Sequence, residues 1–534
     1  MPGSVNTEFI LDMQRKLYRW SHADPDKGFA DLFNVICDRR TLAFAWRKLT
    51  RSAGSNTPGV DGLTRRKVEG RPGGVAAYLE GIREELRAGT YRPKPVRERL
   101  IPKPGKPGKF RPLGIPTLKD RLVQMVLMHV LEPIFEADFY PTSYGFRRGR
   151  STHDAIASIR GQLQPTRAGR TRVRYVVEGD IKGCFDAIDH HLLMERVRRR
   201  IRDRKVLRLI GVFLKAGILA EGMVRHPVTG TPQGGVISPL LANVYLTALD
   251  ERYRRWTPAP RDDLRRAVWQ RNRDWKRGQP TFYLVRYADD FVILVAGSQD
   301  DAEAERERLA RFLEEELRME LSLEKTLVTA VEEGFTFLGY RVVLERSALA
   351  DRPVGKGKIP VDKAQAIRRR IKAMTTRATT SRSLSDLLRE LNPIVTGWRT
   401  YYRYAVGARG EFAKLDHWLW RRLFIWLKKK HPRTSSHVLR RRFRGTAPAS
   451  RGRWGDEGVW MRRFQDGGTA RYALRGIRIS NGWNRDRIAF ALPGANDFWP
   501  SFNTLSTALA GTAATAAHGE PDAGKLARPV RRGG

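Results

Sequence analysis

The rhythm of apolar and polar positions changes along the chain. RLVQMVLMHVLEPIFEADF (121–139) is apolar on nearly every side, which predicts a buried helix ending near Pro141. Between 173 and 345, short β-rich runs alternate with helical ones, the pattern of an α+β sheet domain. Val173, Tyr175 and Val177 alternate as a strand that ends at Asp180. TFYLVRYADDFVILVAG (281–297) holds two strand-like runs, 282–286 and 291–296, with Tyr287-Ala288-Asp289-Asp290 between them, which predicts a hairpin with acids at its tip. In RPVGKGKIP (352–360), Gly355 and Gly357 mark a linker. Beyond it helical spacing takes over. Leu384, Leu387, Leu388, Leu391, Val395, Trp398 and Tyr402 share a helix interrupted by Pro393, and Phe412, Leu415, Leu419, Leu423 and Trp426 share another.

These shifts divide the chain into a mostly helical, basic opening (1–95), a sheet-bearing region (96–345), a linker (346–360) and a helical region (361–439). A basic block rich in Arg and Trp follows (440–503), then a small-residue tail expected to be disordered (504–534). At 534 residues with 41% hydrophobic content, several cores can form.

Charge narrows the function. One hundred Lys and Arg against 57 Asp and Glu leave +43, which calls for a polyanionic partner. No apolar stretch reaches the roughly 18–20 residues of a membrane span, and the N-terminus lacks a signal-peptide layout. Nucleic acid is therefore preferred over membrane, with a cytosolic location. Two cysteines, Cys37 and Cys184, offer no metal-ligand spacing and no disulfide framework.

Adjacent carboxylates repel unless a cation compensates them, and hard divalent ions take carboxylate oxygens as ligands. A solvated turn would also explain Asp289-Asp290 taken alone. Asp180, at the end of a neighbouring strand, supplies a third acid and favours the metal reading, with the Ile181 carbonyl as an added ligand. Asp186 and Asp189 read as helix-start residues. GTPQGGVISPLLANVYL (230–246) places a Gly-rich turn before an apolar helix, where backbone can approach a ligand and Gln233 can hydrogen-bond a nucleotide.

In order along the chain, LIPKPGKPGKFRPLGIPTLKDRLVQ, SYGFRRGRSTHDAI, YVVEGDIKGCFDAIDH, GTPQGGVISPLLANVYL, YLVRYADDFVI, LSLEKT and FTFLGY resemble the segments of a group II intron-encoded reverse transcriptase/maturase. LNPIVTGWRTYYRY (391–404) resembles that family's thumb or maturase region, and DMQRKLYRWS with PGVDG its N-terminal extension. The resemblance implies a right-hand polymerase: fingers and palm over 96–345, built of antiparallel sheet plus helices, preceded in 1–95 by a helical N-terminal extension and the start of the fingers, and followed by an α-helical thumb/maturase domain. The block 440–503 falls where the family binds DNA.

It also implies roles. Asp180, Asp289 and Asp290 correspond to the catalytic metal triad holding two Mg2+, with Mn2+ as a substitute. Phe185 falls at the gate against a ribose 2′-hydroxyl. Gln233 contacts the incoming nucleotide, Lys103 and Arg111 its triphosphate, and Lys325 the phosphates from the palm.

The implied function is RNA-directed DNA polymerisation on an RNA template with a DNA primer or target DNA and dNTPs. It is joined to binding of the parent intron RNA for splicing and mobility, in a bacterial cytosol or nucleoid. A homodimer is left open. Two alternatives remain: a non-catalytic RNA-binding splicing cofactor, and a reverse transcriptase of retron or defence lineage. The family's zinc-binding endonuclease cysteines are missing, so target cleavage is not expected of these residues.

Overall fold

The computed structural model describes residues 2–102, 108, 110–166, 171–220, 223–225, 229–230, 234–262, 264–347, 351–448, 450–475 and 479–483. Its strands in chain order are β1 (Val96–Pro102), β2 (Phe110–Ile115), β3 (Tyr175–Asp180), β4 (Ile218–Ala220), β5 (Met223–Arg225), β6 (Thr281–Tyr287) and β7 (Asp290–Ala296). They continue with β8 (Leu327–Ala330), β9 (Phe335–Phe337), β10 (Tyr340–Ser347), β11 (Arg352–Lys358), β12 (Gly455–Asp456) and β13 (Val459–Trp460).

The apolar run over 121–139 forms the helix Leu118–Glu136, capped by the Thr117 side chain on the Asp120 N–H. Leu122, Val123, Val126, Leu127, Val130, Leu131 and Ile134 are fully buried, because helices Pro2–Ala23 and Arg39–Thr50 pack around it. The fingers are the long antiparallel hairpin β1–β2, extended by β4 and β5 in the order β2-β1-β4-β5.

The palm is an antiparallel sheet in the order β6-β7-β3-β8. Its side chains alternate between two cores. Val177, Leu284, Phe291, Ile293 and Val295 face the core shared with helices Leu118–Glu136, Ser238–Arg252 and Gln299–Leu317. Val176, Val285, Val292 and Leu294 face the core shared with helix Thr152–Gln162 and the thumb. A strand buried on both faces needs an unbroken apolar run, which is why FVILVA shows no alternation.

The described residues of 346–360 do not form a linker but lie mostly in two paired strands. β10 and β11 pair antiparallel from Arg341 opposite Lys358 to Ser347 opposite Arg352. The glycines are there for close approach: a Cβ at Gly355 would stand 2.7 Å from the Cβ of Leu163, the residue that caps the end of helix Thr152–Gln162. Pro393 does not interrupt its helix either, since Leu384–Tyr402 is continuous through it. Losing one N–H is tolerated there because Leu387, Leu388, Leu391 and Val395 are fully buried around it.

Residues 436–475 share the thumb's core instead of forming one of their own, with Trp454, Met461 and Phe464 buried beside Trp426 and Phe412 of helix Ala408–Lys430. The chain then returns to the palm and N-terminus. Arg475 pairs with Asp154 at 2.6 Å, and Trp483 Nε1 donates to Gln14 Oε1 at 3.1 Å. The expected disordered tail lies outside the described residues.

Candidate active site

β3 and β7 run antiparallel with Asp180 directly opposite Asp290, and β6 closes on β7 with Tyr287 opposite Asp290. Ala288 and Asp289 are thus the two loop residues of a tight hairpin. Such a loop needs a left-handed residue, and Ala288 supplies it at φ +59°. For alanine this costs about 1–2 kcal/mol, so the surroundings must hold it.

They do so through a buried ion pair. Arg286, fully buried, contacts Asp250 at 2.5 Å and donates to Asn243 Oδ1 at 2.9 Å and to the Ala288 carbonyl at 3.0 Å. Asn243 in turn donates to the Gly145 carbonyl at 2.9 Å. Gly145 lies so close that a Cβ there would stand 2.3 Å from the Ala288 nitrogen. The acid turn is therefore held by strand, helix and loop together.

Asp290 keeps exposed surface, but the surrounding protein partly desolvates its carboxyl. That desolvation first, then the neighbouring Asp289 and Asp180, push it up to about 7, while Arg111 and Lys325 pull it down. Lys325 Nζ sits 2.6 Å from Asp180 Oδ2. The donors are all hard oxygens with an excess of negative charge, which suits a divalent cation. Among the described residues they do not close into a ready-made cage of three ligands, and an ammonium stands beside Asp180 in this state.

Ile181 is buried and bridges Leu321, flanked by the Ser322 N–H on the Asp180 carbonyl and the Lys182 N–H on the Glu320 carbonyl. Arg111 projects from β2; burial raises the Asp186 carboxyl, as it does that of Asp290, and the Arg111 charge opposes the rise at both. Phe185 is half-buried, with Phe146 edge-on at 6.4 Å; Phe146 is itself 42% exposed at φ +58°.

Asp189 caps helix His190–Arg200 by accepting from the Leu192 N–H at 2.9 Å. Asp186 does not start that helix; it lies in the turn before it, where its carbonyl accepts from Thr229 Oγ1. Lys103 and Gln233 lie outside the described residues. Close to Gln233, the Val236 N–H donates to Gln124 Oε1 at 2.7 Å, which ties that segment to helix Leu118–Glu136.

The Arg286–Asp250–Asn243 clamp was not foreseen from the sequence. A signal existed: one Arg inside the apolar run TFYLVRY, and Asn and Asp seven residues apart on one face of an apolar helix.

Residues 101–342 match the family described as reverse transcriptase (RNA-dependent DNA polymerase), and 364–444 match the group II intron maturase-specific domain. Protein YkfC of Escherichia coli is 41% identical over 372 residues, covering 67% of this chain and 94% of that protein. The group II intron-encoded protein LtrA of Lactococcus lactis is 35% identical over 376 residues, covering 62% of this chain and 60% of that protein. A putative COX1/OXI3 intron 1 protein of Saccharomyces cerevisiae is 30% identical over 344 residues, covering 58% of this chain and 39% of that protein. Two family matches in the expected order and a relative matched over nearly its whole length lead to one conclusion: the chain belongs to the group II intron-encoded reverse transcriptase/maturase family.

Proposed function

We propose that this protein synthesises DNA on an RNA template and binds its parent group II intron RNA, assisting splicing and copying the intron during mobility. The observation that carries the catalytic part is Asp180 opposite Asp290 beside Asp289, faced by Arg111 from the fingers and Lys325 from the palm. Asp180, Asp289 and Asp290, with the Ile181 carbonyl, would hold two Mg2+ (or Mn2+). Bound there, the ions would polarise the reacting phosphate and lower the pKa of the primer hydroxyl.

The protein's own groups do the rest. Arg111 and Lys325, with Lys103, supply positive charge to the triphosphate. Lys325, now paired with Asp180, would have to release that carboxylate for it to hold a cation. Phe185 fills the space of a 2′-hydroxyl, and Gln233 positions the nucleotide. The clamp on Ala288 fixes the acids, so that little reorganisation is required at the reacting centre.

The maturase-domain match over 364–444 supports intron RNA as partner. No helix among the described residues is long and apolar enough to cross a membrane, and a bacterial cytosolic or nucleoid setting fits the +43 charge. The test is primer extension on an RNA template with Mg2+ and dNTPs, beside intron splicing with the same preparations. Asp289→Ala is expected to abolish extension and spare splicing. Extension surviving in Asp289→Ala would remove the site assignment; splicing lost with it would contradict two separable functions.

A further inference from the structure

The segment between helix Ser238–Arg252 and β6 takes no part in the site above. Its helix, Leu264–Lys276, has two distinct faces. Inward, Ala267 and Asp274 are buried. The Asp274 carboxylate accepts from Arg255 Nε at 2.8 Å, Trp256 Nε1 at 3.0 Å and Gln270 Nε2 at 2.9 Å. Arg271 lies over the Tyr283 ring of β6 and donates to the Trp256 carbonyl. That face covers the edge of the palm.

Outward, Trp269 and Trp275 are 56% and 47% exposed. Each carries a guanidinium over its ring, Arg273 at 5.1 Å and Arg172 at 4.5 Å. Arg266, Lys276 and Arg277 are exposed beside them, and none of the three is in an ion pair among the described residues. The described acids near the helix in sequence, Asp262 and Asp274, are paired with Arg254 and Arg255. Half-exposed indoles set among uncompensated cations are the two components of a surface for unpaired nucleic acid, since every base has a π-face and every linkage a charge.

We propose that this outer face binds an unpaired stretch of RNA, with bases stacked on Trp269 and Trp275 and phosphates along Arg266, Lys276 and Arg277. The inference rests on the RNA-binding part of the proposed function and needs no catalysis. The helix adjoins the start of β6, while the acid turn follows Tyr287 at its other end, roughly 20 Å away by strand rise. An RNA segment held here therefore leaves the catalytic cleft open. A protein partner would satisfy the indoles, but it would have to supply several carboxylates in the same small area.

The test uses the full-length protein with its cleft filled by a saturating short RNA–DNA primer–template, titrated with a labelled single-stranded oligouridylate. Trp269→Ala with Trp275→Ala is expected to weaken that RNA at least about tenfold. Trp269→Tyr with Trp275→Tyr should stay close to wild type, and extension on the short template should be unchanged for both pairs. Arg266→Gln and Lys276→Gln should each flatten the slope of log affinity against log salt by about 0.7.

Unaltered RNA affinity in the alanine pair would overturn the site, as would a tyrosine pair as weak as the alanine pair. So would absence of wild-type binding once the cleft is filled. Tighter binding of the matching deoxyoligonucleotide would overturn RNA as the ligand. Joint loss of binding and extension would show an effect through the palm's fold and also overturn it. A wild-type protein that binds RNA here yet never extends a primer would instead strike the catalytic reading and leave this one standing.

Discussion

The two ends of the palm sheet carry charge in opposite ways. At the tip of β6–β7, three carboxylates gather in a protein with a net charge of +43, and a lysine from the loop before β8 pairs with one of them. At the start of β6, arginines and lysine crowd around two half-exposed tryptophans, while the described acids nearby in sequence, Asp262 and Asp274, pair with Arg254 and Arg255. Each end holds an excess that folding alone would not favour, and each suits a ligand of the opposite sign: metal ions at one, a polyanion at the other. They differ in support. The acid turn is fixed by a buried ion pair that holds a strained alanine in place. The basic face rides on an exposed helix whose outer side chains are long, which is enough to recognise a flexible strand.

The sharpest break between the ends is Asp180→Asn. Primer extension should fall by at least on the order of 10³-fold. Affinity for unpaired RNA with the cleft filled should not change, as anisotropy titration would reveal; a parallel loss of both would merge the two ends into one site.

Next is the support of the acid turn. Arg286→Leu leaves Asp250 buried and uncompensated and should cost about 3–5 kcal/mol of stability. Adding Asp250→Leu should recover most of that in thermal or urea unfolding. Extension should nevertheless stay down by about 10²-fold, because the Ala288 carbonyl has lost its donor and the acids their placement. Full activity in the double variant would mean that the turn holds itself.

A smaller effect is expected at Phe185, the proposed gate. Phe185→Ala should raise incorporation of ribonucleotides relative to deoxyribonucleotides by roughly 10–100-fold, with RNA affinity unaltered. Single-nucleotide incorporation kinetics measure the ratio, and an unchanged ratio would remove Phe185 from that role.

Comparing the two ends across pH requires the fold to hold, and His129 sets a limit. Burial first, then Arg148 and Lys48, hold its imidazole down at about 3, against an ordinary value of 6.5. A folded value below the unfolded one means that protonation favours unfolding. The stability is thus complete above about pH 6.5 and declines as pH falls toward 3, by up to about 1.4 kcal/mol per pH unit. Urea unfolding at stepped pH should show this slope and His129→Leu should reduce it; an identical slope in the variant would assign the acid sensitivity elsewhere.

The acid-tipped hairpin and the strand ending at Asp180 were legible because strand alternation, an intervening turn and a third strand-end Asp are local signals. The thumb's stripes and the buried helix over 121–139 were legible for the same reason. Gly355 and Gly357 misled, because a glycine that opens a loop and a glycine that lets a strand pass close to a helix look alike in one dimension. Asp186 misled similarly: Asp189, three residues on, caps the helix. Arg286 stood out only as a charge in an apolar run, and its partners are 36 and 43 residues away in the chain.

The sequence by itself determined the identity of the acids, the hairpin that presents them, the helical thumb and a charge that demands a polyanion. These follow from periods of two and 3.6 residues and from composition, which are properties of neighbours along the chain. Tertiary structure alone decided that Asp180 stands opposite Asp290, that Arg286 grips the turn, and that helix Leu264–Lys276 buries Asp274 and leaves Trp269 and Trp275 in water. Register, burial and ion pairing are set by packing between segments distant in sequence, and no local period encodes which segments meet.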